Sequence, residues 1–143
     1  MDKSFHYLLM VNQSLFHKKV INRLTEIGLT SGQPKILDFL NLHDGSMQKE
    51  LALGCQIEPA TLTGILERME EKKLVVRKTK DKNRRSSYVF LTDAGKEYAK
   101  KTAVIFQELE SEVFAGIGID QKQEFIDIFT KIYGNMADLE GMQ

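Results

Sequence analysis

The sequence predicts a mainly α-helical fold with a small β-hairpin wing, on the basis of three observations. Apolar residues recur at helical spacing through most of the 143 residues. Two runs rich in β-branched and aromatic residues, 75–76 and 88–91, enclose a polar stretch of turn-forming residues. Two short amphipathic segments lie just before this hairpin, within residues 47–70. This order of elements is that of a winged helix-turn-helix.

The N-terminal part of the chain predicts two helices. The first covers residues 4–27, and Gly28 supplies its C-terminal cap. The second opens with a capping box made by Thr30 and Gln33 and ends before Gly45. The apolar face of the first helix consists of Phe5, Leu8, Leu9, Leu15, Phe16, Val20, Leu24 and Ile27.

Two further helices follow within the central segment. Ser46 is predicted to cap a short helix, 47–53, in which Leu51 faces the core, and residues 54–56 form a turn. The next helix begins near Glu58. Its buried stripe is predicted from the spacing i, i+3, i+4, i+7 of Leu62, Ile65, Leu66 and Met69.

The opposite face of this helix carries small residues near its start, hydrogen-bonding residues in the middle and a base at its end. A helix in a major groove presents its N-terminal part to base edges, where threonine can bond either base type or contact the thymine methyl group. By itself the pattern also fits an ordinary surface helix. The candidate DNA-binding residues of this face are Pro59, Ala60, Thr61, Thr63, Gly64 and Arg68.

The hairpin is strongly basic. Residues 72–85 contain eight bases and one acid, a net charge of +7. Such a run usually means a solvated face or an anionic partner. A twisted hairpin with arginine at its tip has the shape to enter a minor groove, so helix and hairpin together favour duplex DNA. The candidate residues of the hairpin tip are Lys80, Lys82, Arg84 and Arg85.

These motifs resemble the MarR family of bacterial transcriptional regulators. The resemblance covers nearly the whole chain and is carried by IEPATLTGILERME at 57–70, DKNRR at 81–85, LTDAG at 91–95 and LTSGQ at 29–33. Two positions depart from the family pattern, which commonly has glycine at Lys73 and aspartate at Asn83. Lys73 must therefore adopt a left-handed cap conformation or end the helix differently. Asn83 keeps a turn former but lacks a carboxylate that could orient a neighbouring arginine.

Composition indicates one domain of ordinary type, residues 1–143, with 42% hydrophobic and 28% charged residues. Within it, residues 30–95 are expected to form the DNA-binding lobe, and residues 1–28 and 96–143 the dimerisation helices. No 18-residue apolar run and no signal-peptide pattern is present, so we expect a cytoplasmic protein without a membrane partner. The lone Cys55 and three scattered histidines give no metal or cofactor site.

Charge is unevenly distributed although the net charge is zero. From Thr102 onward there are eight acids and two bases, a net charge of −6. A basic hairpin and an acidic C-terminal third fit a molecule that turns one end toward DNA.

The fifth helix is predicted over residues 93–113. The sixth is predicted to begin at Asp120, and Asp120 together with Gln123 is expected to cap it. The final helix has a wider apolar stripe than packing on its own domain requires. Together with the long first helix, it favours a homodimer with interleaved chain ends, which the resemblance also implies. The stripe consists of Phe125, Ile128, Phe129, Ile132, Tyr133 and Met136.

The predicted function is a sequence-specific, homodimeric DNA-binding regulator of a pseudo-palindromic operator, and proteins of this pattern are most often repressors. No phosphate loop, nucleophile elbow or paired histidine ligands indicates an enzyme. The alternatives are a winged helix used as a protein-interaction module, or an enzyme with scattered catalytic groups. Salt-dependent binding to duplex DNA separates both from the prediction.

Control of the protein has two predicted routes. The resemblance implies either a small aromatic or anionic effector in a crevice between the dimer helices and the DNA-binding lobe, or oxidation of a reactive cysteine. Cys55 has no basic neighbour in sequence, and its nearest charges are Glu50 and Glu58, which disfavour a thiolate. The sequence therefore favours a ligand switch over a redox switch, and names no effector-contacting residue.

Overall fold

The computed structural model describes residues 3–79 and 87–139, and that part of the chain contains six helices and three short strands. This confirms the mainly helical fold with a small β wing. None of the described helices is long and apolar enough to cross a membrane. The helices are α1 Phe5–Thr25, α2 Gln33–Leu42, α3 Gln48–Cys55, α4 Pro59–Glu71, α5 Asp93–Val113 and α6 Ile119–Leu139. The strands are β1 Ser46–Met47, β2 Val75–Thr79 and β3 Ser87–Leu91.

The sheet is antiparallel, with strand order β1-β3-β2. The predicted hairpin is confirmed as β2 and β3, which pair from Val75 opposite Leu91 to Thr79 opposite Ser87. Strand β1 was not predicted, because two residues carry no periodic signal of their own. It places Ser46 opposite Val89 at the base of the wing.

The start of α3 differs from the prediction. Ser46 is not its cap, since it lies in β1 and its hydroxyl donates to the carbonyl oxygen of His43 at 2.6 Å. The helix starts instead after Met47, whose amide donates to a carboxylate oxygen of Glu50 at 3.3 Å. Leu51 is buried, as expected.

The predicted turn at 54–56 is also wrong, because α3 continues through Cys55 and ends at Gln56, which has a left-handed φ of 54°. Gly54 serves packing rather than a turn. A β-carbon there would lie 2.2 Å from the ring of Phe39, so only glycine lets α3 approach α2 this closely.

The predicted capping box before α2 forms in part. The amide of Thr30 donates to Oε1 of Gln33 at 3.1 Å, but the helix begins only at Gln33. At the start of α5 the prediction holds, since the amide of Gly95 donates to the hydroxyl of Thr92 at 3.0 Å.

The chain forms two compact units, Met1–Leu109 and Glu110–Gln143. The first contains one apolar core, to which α1 to α5 and the strands β2 and β3 contribute. Its largest fully buried apolar side chains are Leu24, Leu29, Ile36, Leu37, Leu40, Leu51, Leu62, Leu66, Met69, Val75 and Leu109.

The second unit contains the end of α5 and helix α6. Nζ of Lys122 lies 4.8 Å from the ring centre of Phe114, and the Phe114 and Phe125 rings are 6.1 Å apart. The predicted cap of Asp120 with Gln123 is wrong, because α6 begins at Ile119. The capping pair lies two residues earlier: the amide of Gly118 donates to Oε1 of Gln121 at 3.2 Å.

No described side chain of α6 is buried within the chain. Its predicted apolar stripe is therefore present but uncovered, since the exposed large apolar residues of this helix are Ile119, Phe125, Ile126, Ile128, Phe129, Tyr133 and Met136.

Candidate nucleic-acid interface

Helix α4 has one face in the core and one outside. The predicted stripe of Leu62, Ile65, Leu66 and Met69 is buried, which fixes the rotation of the helix. Among the candidates on the other side, Pro59, Ala60, Thr61 and Arg68 are exposed, whereas Thr63 and Gly64 are half-buried. The candidates Lys80, Lys82, Arg84 and Arg85, like Asn83, lie outside the described residues.

Gly64 lies in the middle of α4, and no contact among the described residues requires a glycine there. Its φ is not positive, and a β-carbon built there meets no atom within 4 Å. A glycine inside a helix costs about 1 kcal/mol relative to alanine. Since the fold gains nothing from this glycine, it leaves an open notch on the outward face where another surface can approach the helix backbone.

The hydroxyl of Thr63 is engaged within the protein. It donates to the carbonyl oxygen of Pro59 at 3.0 Å and accepts from Nε2 of Gln48, the first residue of α3, at 3.1 Å. A threonine hydroxyl has a single hydrogen to donate. Thr63 is thus held by both helices of the helix-turn-helix, and its methyl group and one lone pair of its hydroxyl oxygen are left for other contacts.

The wing is tied to the end of α4 by an ion pair. Nε and Nη2 of Arg77, on β2, lie 2.7 and 2.5 Å from Oε1 of Glu70, and both side chains are mostly buried. Nζ of Lys78 lies 5.3 Å from the ring centre of Phe90. Part of the positive charge counted in residues 72–85 therefore contributes to holding the wing.

Helix α4 ends with Lys73 in the cap position where the family commonly has glycine. Its φ is 61°, so it takes the left-handed conformation that glycine usually provides. The amide of Lys73 donates to the Glu70 carbonyl and that of Leu74 to the Met69 carbonyl, both at 2.9 Å, which is the hydrogen-bond pattern of a Schellman cap. Nζ of Lys72 binds the Gly28 carbonyl at 2.9 Å and so ties this end of α4 to the turn after α1.

Comparison with known proteins agrees with this architecture. The MarR family model matches residues 29–87, which include α2 to α4 and strand β2 and end at the first residue of β3. The HTH-type transcriptional regulator YdgJ of Bacillus subtilis (strain 168) is 25% identical over 113 residues, 79% of this chain and 69% of that protein. The comparisons identify residues 29–87 as a MarR family domain. Members of the MarR family are transcriptional regulators, not enzymes, and this chain is one of these regulators.

Two solved structures of MarR-type regulators have the same fold. The DNA complex of MepR from Staphylococcus aureus has a TM-score of 0.83 and 22% identity, and the match covers 94% of this chain and 99% of that one. A putative MarR family regulator from Listeria monocytogenes, complexed with 26mer DNA, has a TM-score of 0.85 and 18% identity, with 96% and 91% covered.

Cys55 of this MarR family chain lies in a setting that suppresses thiol reactivity. It is buried at the end of α3, and its Sγ lies 3.6 Å from the carbonyl oxygen of Lys35. Burial raises the pKa of the thiol to about 11; Lys35 opposes this rise and Asp38 adds to it. The charges considered from sequence, Glu50 and Glu58, are not the cause.

Three residues of this candidate interface have no predicted role: Gln48, Glu70 and Arg77. In the sequence, Gln48 is only part of the predicted short helix, Glu70 is only part of the motif at 57–70, and Arg77 enters only the charge count of residues 72–85. The sequence contained a local indication of the Glu70–Arg77 ion pair, because these two opposite charges lie close in the chain on either side of Lys73. No local signal joins Gln48 to Thr63, which is fifteen residues away.

Proposed function

We propose that this MarR family regulator is a homodimer that binds a pseudo-palindromic DNA operator in a sequence-specific manner, acts as a repressor in the cytoplasm, and releases DNA on binding a small ligand. The observation that carries the proposal is the open outward face of α4, with its unexplained Gly64. A helix that enters a major groove needs such a face. The DNA complexes of the MepR and Listeria proteins lend support, since this chain shares their fold.

Within this face we assign separate roles. Pro59, Ala60 and Gly64 permit close approach of the duplex, while Thr61, Thr63 and Arg68 include the base-reading residues. Thr61 and Arg68 are exposed and seven positions apart, so they share one side of the helix. For the wing tip, we propose that Arg84 and Arg85 contact the minor groove and phosphates, and that Lys80 and Lys82 contact phosphates.

The proposal of a homodimer rests on uncovered apolar surface. In α6, Phe125 is 49% exposed, Ile128 52% and Tyr133 59%, values far above those of a helix packed on its own domain. In α1, Phe5 and Leu15 are also more than half exposed. We propose that a second copy of the chain covers these faces, burying ~2,000 Å² or more.

The proposed effector is a small aromatic or anionic molecule. An open groove of about 360 Å³ in the first unit supports this class, because its lining is mostly apolar and includes two lysines beside one glutamate. To shift the protein away from DNA, the molecule must bind more tightly to a dimer whose recognition helices are wrongly spaced for successive major grooves. The groove is lined by Ile27, Glu97, Lys100, Lys101, Val104 and Ile105.

The test is DNA binding at several salt concentrations. A duplex selected by the protein from a randomised pool should bind far more tightly than a random duplex, and both affinities should fall as salt rises. Arg84→Ala or Arg85→Ala should weaken both and flatten the salt dependence. Thr63→Ala should weaken binding mainly to the selected duplex, by about 1–3 kcal/mol of binding free energy.

Selection that enriches no sequence would remove sequence-specific binding. Salt-independent binding, or none, would favour a winged helix that serves as a protein-interaction module. Equal losses for Thr63→Ala on selected and random duplex would contradict the separate roles of α4 and the wing.

A further inference from the structure

The link between Gln48 and Thr63 constrains a side chain on the proposed reading helix. Threonine in a helix divides between two side-chain rotamers, because its hydroxyl can bond the carbonyl one turn earlier. Here that bond is made to the Pro59 carbonyl at 3.0 Å, and the same oxygen accepts a hydrogen bond from Nε2 of Gln48 at 3.1 Å. Both Gln48 and Thr63 are half-buried.

Two bonds to the hydroxyl leave Thr63 with its methyl group and one lone pair of the hydroxyl oxygen. The hydroxyl hydrogen is directed at the Pro59 carbonyl, so it is not free for a base acceptor. Of the two groups that remain, the methyl group has a specific partner in the major groove, which is the C5-methyl group of thymine. The side chain of Gln48 makes no other hydrogen bond in the described part of the chain.

We propose that Gln48 is a positioning residue that holds Thr63 with its methyl group toward the major groove, and that this pair selects thymine at one position of each operator half-site. The proposal rests on the proposed function, because it needs α4 to enter the groove. It assigns to Thr63 an apolar contact instead of a hydrogen bond to a base edge.

The probe is the duplex selected in vitro by the wild-type protein, in which each thymine of one half-site is replaced in turn by deoxyuridine. This change removes the C5-methyl group and keeps every hydrogen-bonding group of the base. At one position the wild-type protein should bind about fourfold more weakly, the worth of one buried methyl group. Thr63→Ser, which keeps the hydroxyl and lacks the methyl, should show no loss at that position.

Gln48→Met tests the positioning role, because it keeps the length of the side chain and removes the hydrogen bond to Thr63. The deoxyuridine loss should fall to about twofold or less, as part of the Thr63 population leaves the fixed rotamer. Thermal stability and affinity for random duplex should stay at the wild-type level. Gln107→Met, at an exposed position of α5, is the matched control and should keep the full fourfold loss.

The outcomes separate the two proposals. A selected duplex that tolerates deoxyuridine at every position, or a Gln48→Met variant with the full loss, overturns the inference and leaves DNA recognition by α4 in place. A wild-type protein that prefers no duplex over random sequence removes the proposed function itself.

Discussion

Gly95 lies so close to Leu74 that a β-carbon on Gly95 would be 2.0 Å from the Leu74 carbonyl oxygen. This contact joins the start of α5 to the segment that leaves α4, and the amide of Thr92 also donates to that carbonyl at 3.1 Å. The Leu74 backbone therefore leaves no room for a methyl group on Gly95 in the first turn of α5.

We therefore expect Gly95→Ala to destabilise the protein by about 1–3 kcal/mol, the usual cost of overpacking. Chemical denaturation of the variant and the wild-type protein gives this difference directly. An unchanged unfolding midpoint would mean that the start of α5 can move away from Leu74 without cost.

Gly64→Ala is the matched substitution at a glycine that has open space around it. The free protein should become about 1 kcal/mol more stable, because alanine is the better helix former. Affinity for the selected duplex should fall on the order of tenfold or more, since the new methyl group lies where the duplex approaches. A variant that is more stable and binds DNA as before would show that the notch does not face DNA.

Lys73→Gly should raise stability. The left-handed conformation costs a lysine about 1–2 kcal/mol, and part of that gain is lost to the greater freedom of glycine in the unfolded chain. We expect a net gain of about 0.5–1 kcal/mol in the free energy of unfolding. Glu71→Gly, inside the last turn of α4, is the control and should lose about 1 kcal/mol. A loss of stability in both variants would argue against strain at Lys73.

Cys55 should make the protein less stable in alkali. The neutral thiol is the form that the fold favours, since its pKa is raised from 9.0 to about 11. This contribution is fully present below pH 9 and is lost as the pH rises through about 11. Comparing Cys55→Ala with the wild-type protein isolates the thiol from lysines and tyrosines that titrate in the same range. The stability advantage of the wild-type protein should shrink above pH 9.

The same burial predicts slow chemistry at neutral pH. Native protein should react with iodoacetamide far more slowly than unfolded protein, and peroxide should not release DNA. If the wild-type protein loses its duplex under peroxide and Cys55→Ser keeps it, the thiol is the sensor and the ligand switch fails.

The uncovered stripe of α6 predicts that the chain pairs with a copy of itself. Light scattering at micromolar concentration should give about twice the chain mass of 16.3 kDa. Tyr133→Glu places a charge on the apolar stripe and should shift the mass toward the monomer. Lys131→Glu, on the polar side of the same helix, should leave the mass unchanged. A wild-type mass near 16.3 kDa would remove the dimer and the half-site spacing of ~10 bp.

The sequence by itself was enough for the elements that repeat over many residues. The stripe of α4 and the apolar face of α6 follow from helical spacing, which is a property of neighbouring residues. The pairing of β2 with β3 follows from two β-prone runs joined by a short turn. Even the departure at Lys73 was visible, although the choice between a left-handed residue and another ending was open until φ was known.

Tertiary structure decided every feature that depends on residues far apart in the chain. Strand β1 exists only because β3 lies beside it, so Ser46 became a strand residue instead of a helix cap. Gly54 packs against Phe39 of another helix, although the sequence predicts a turn at this position. Gln48 meets the hydroxyl of Thr63 because the core packs α3 against α4, and that side-chain geometry has no trace in local periodicity. Local patterns set the elements, whereas the packing of the core sets which side chains face one another.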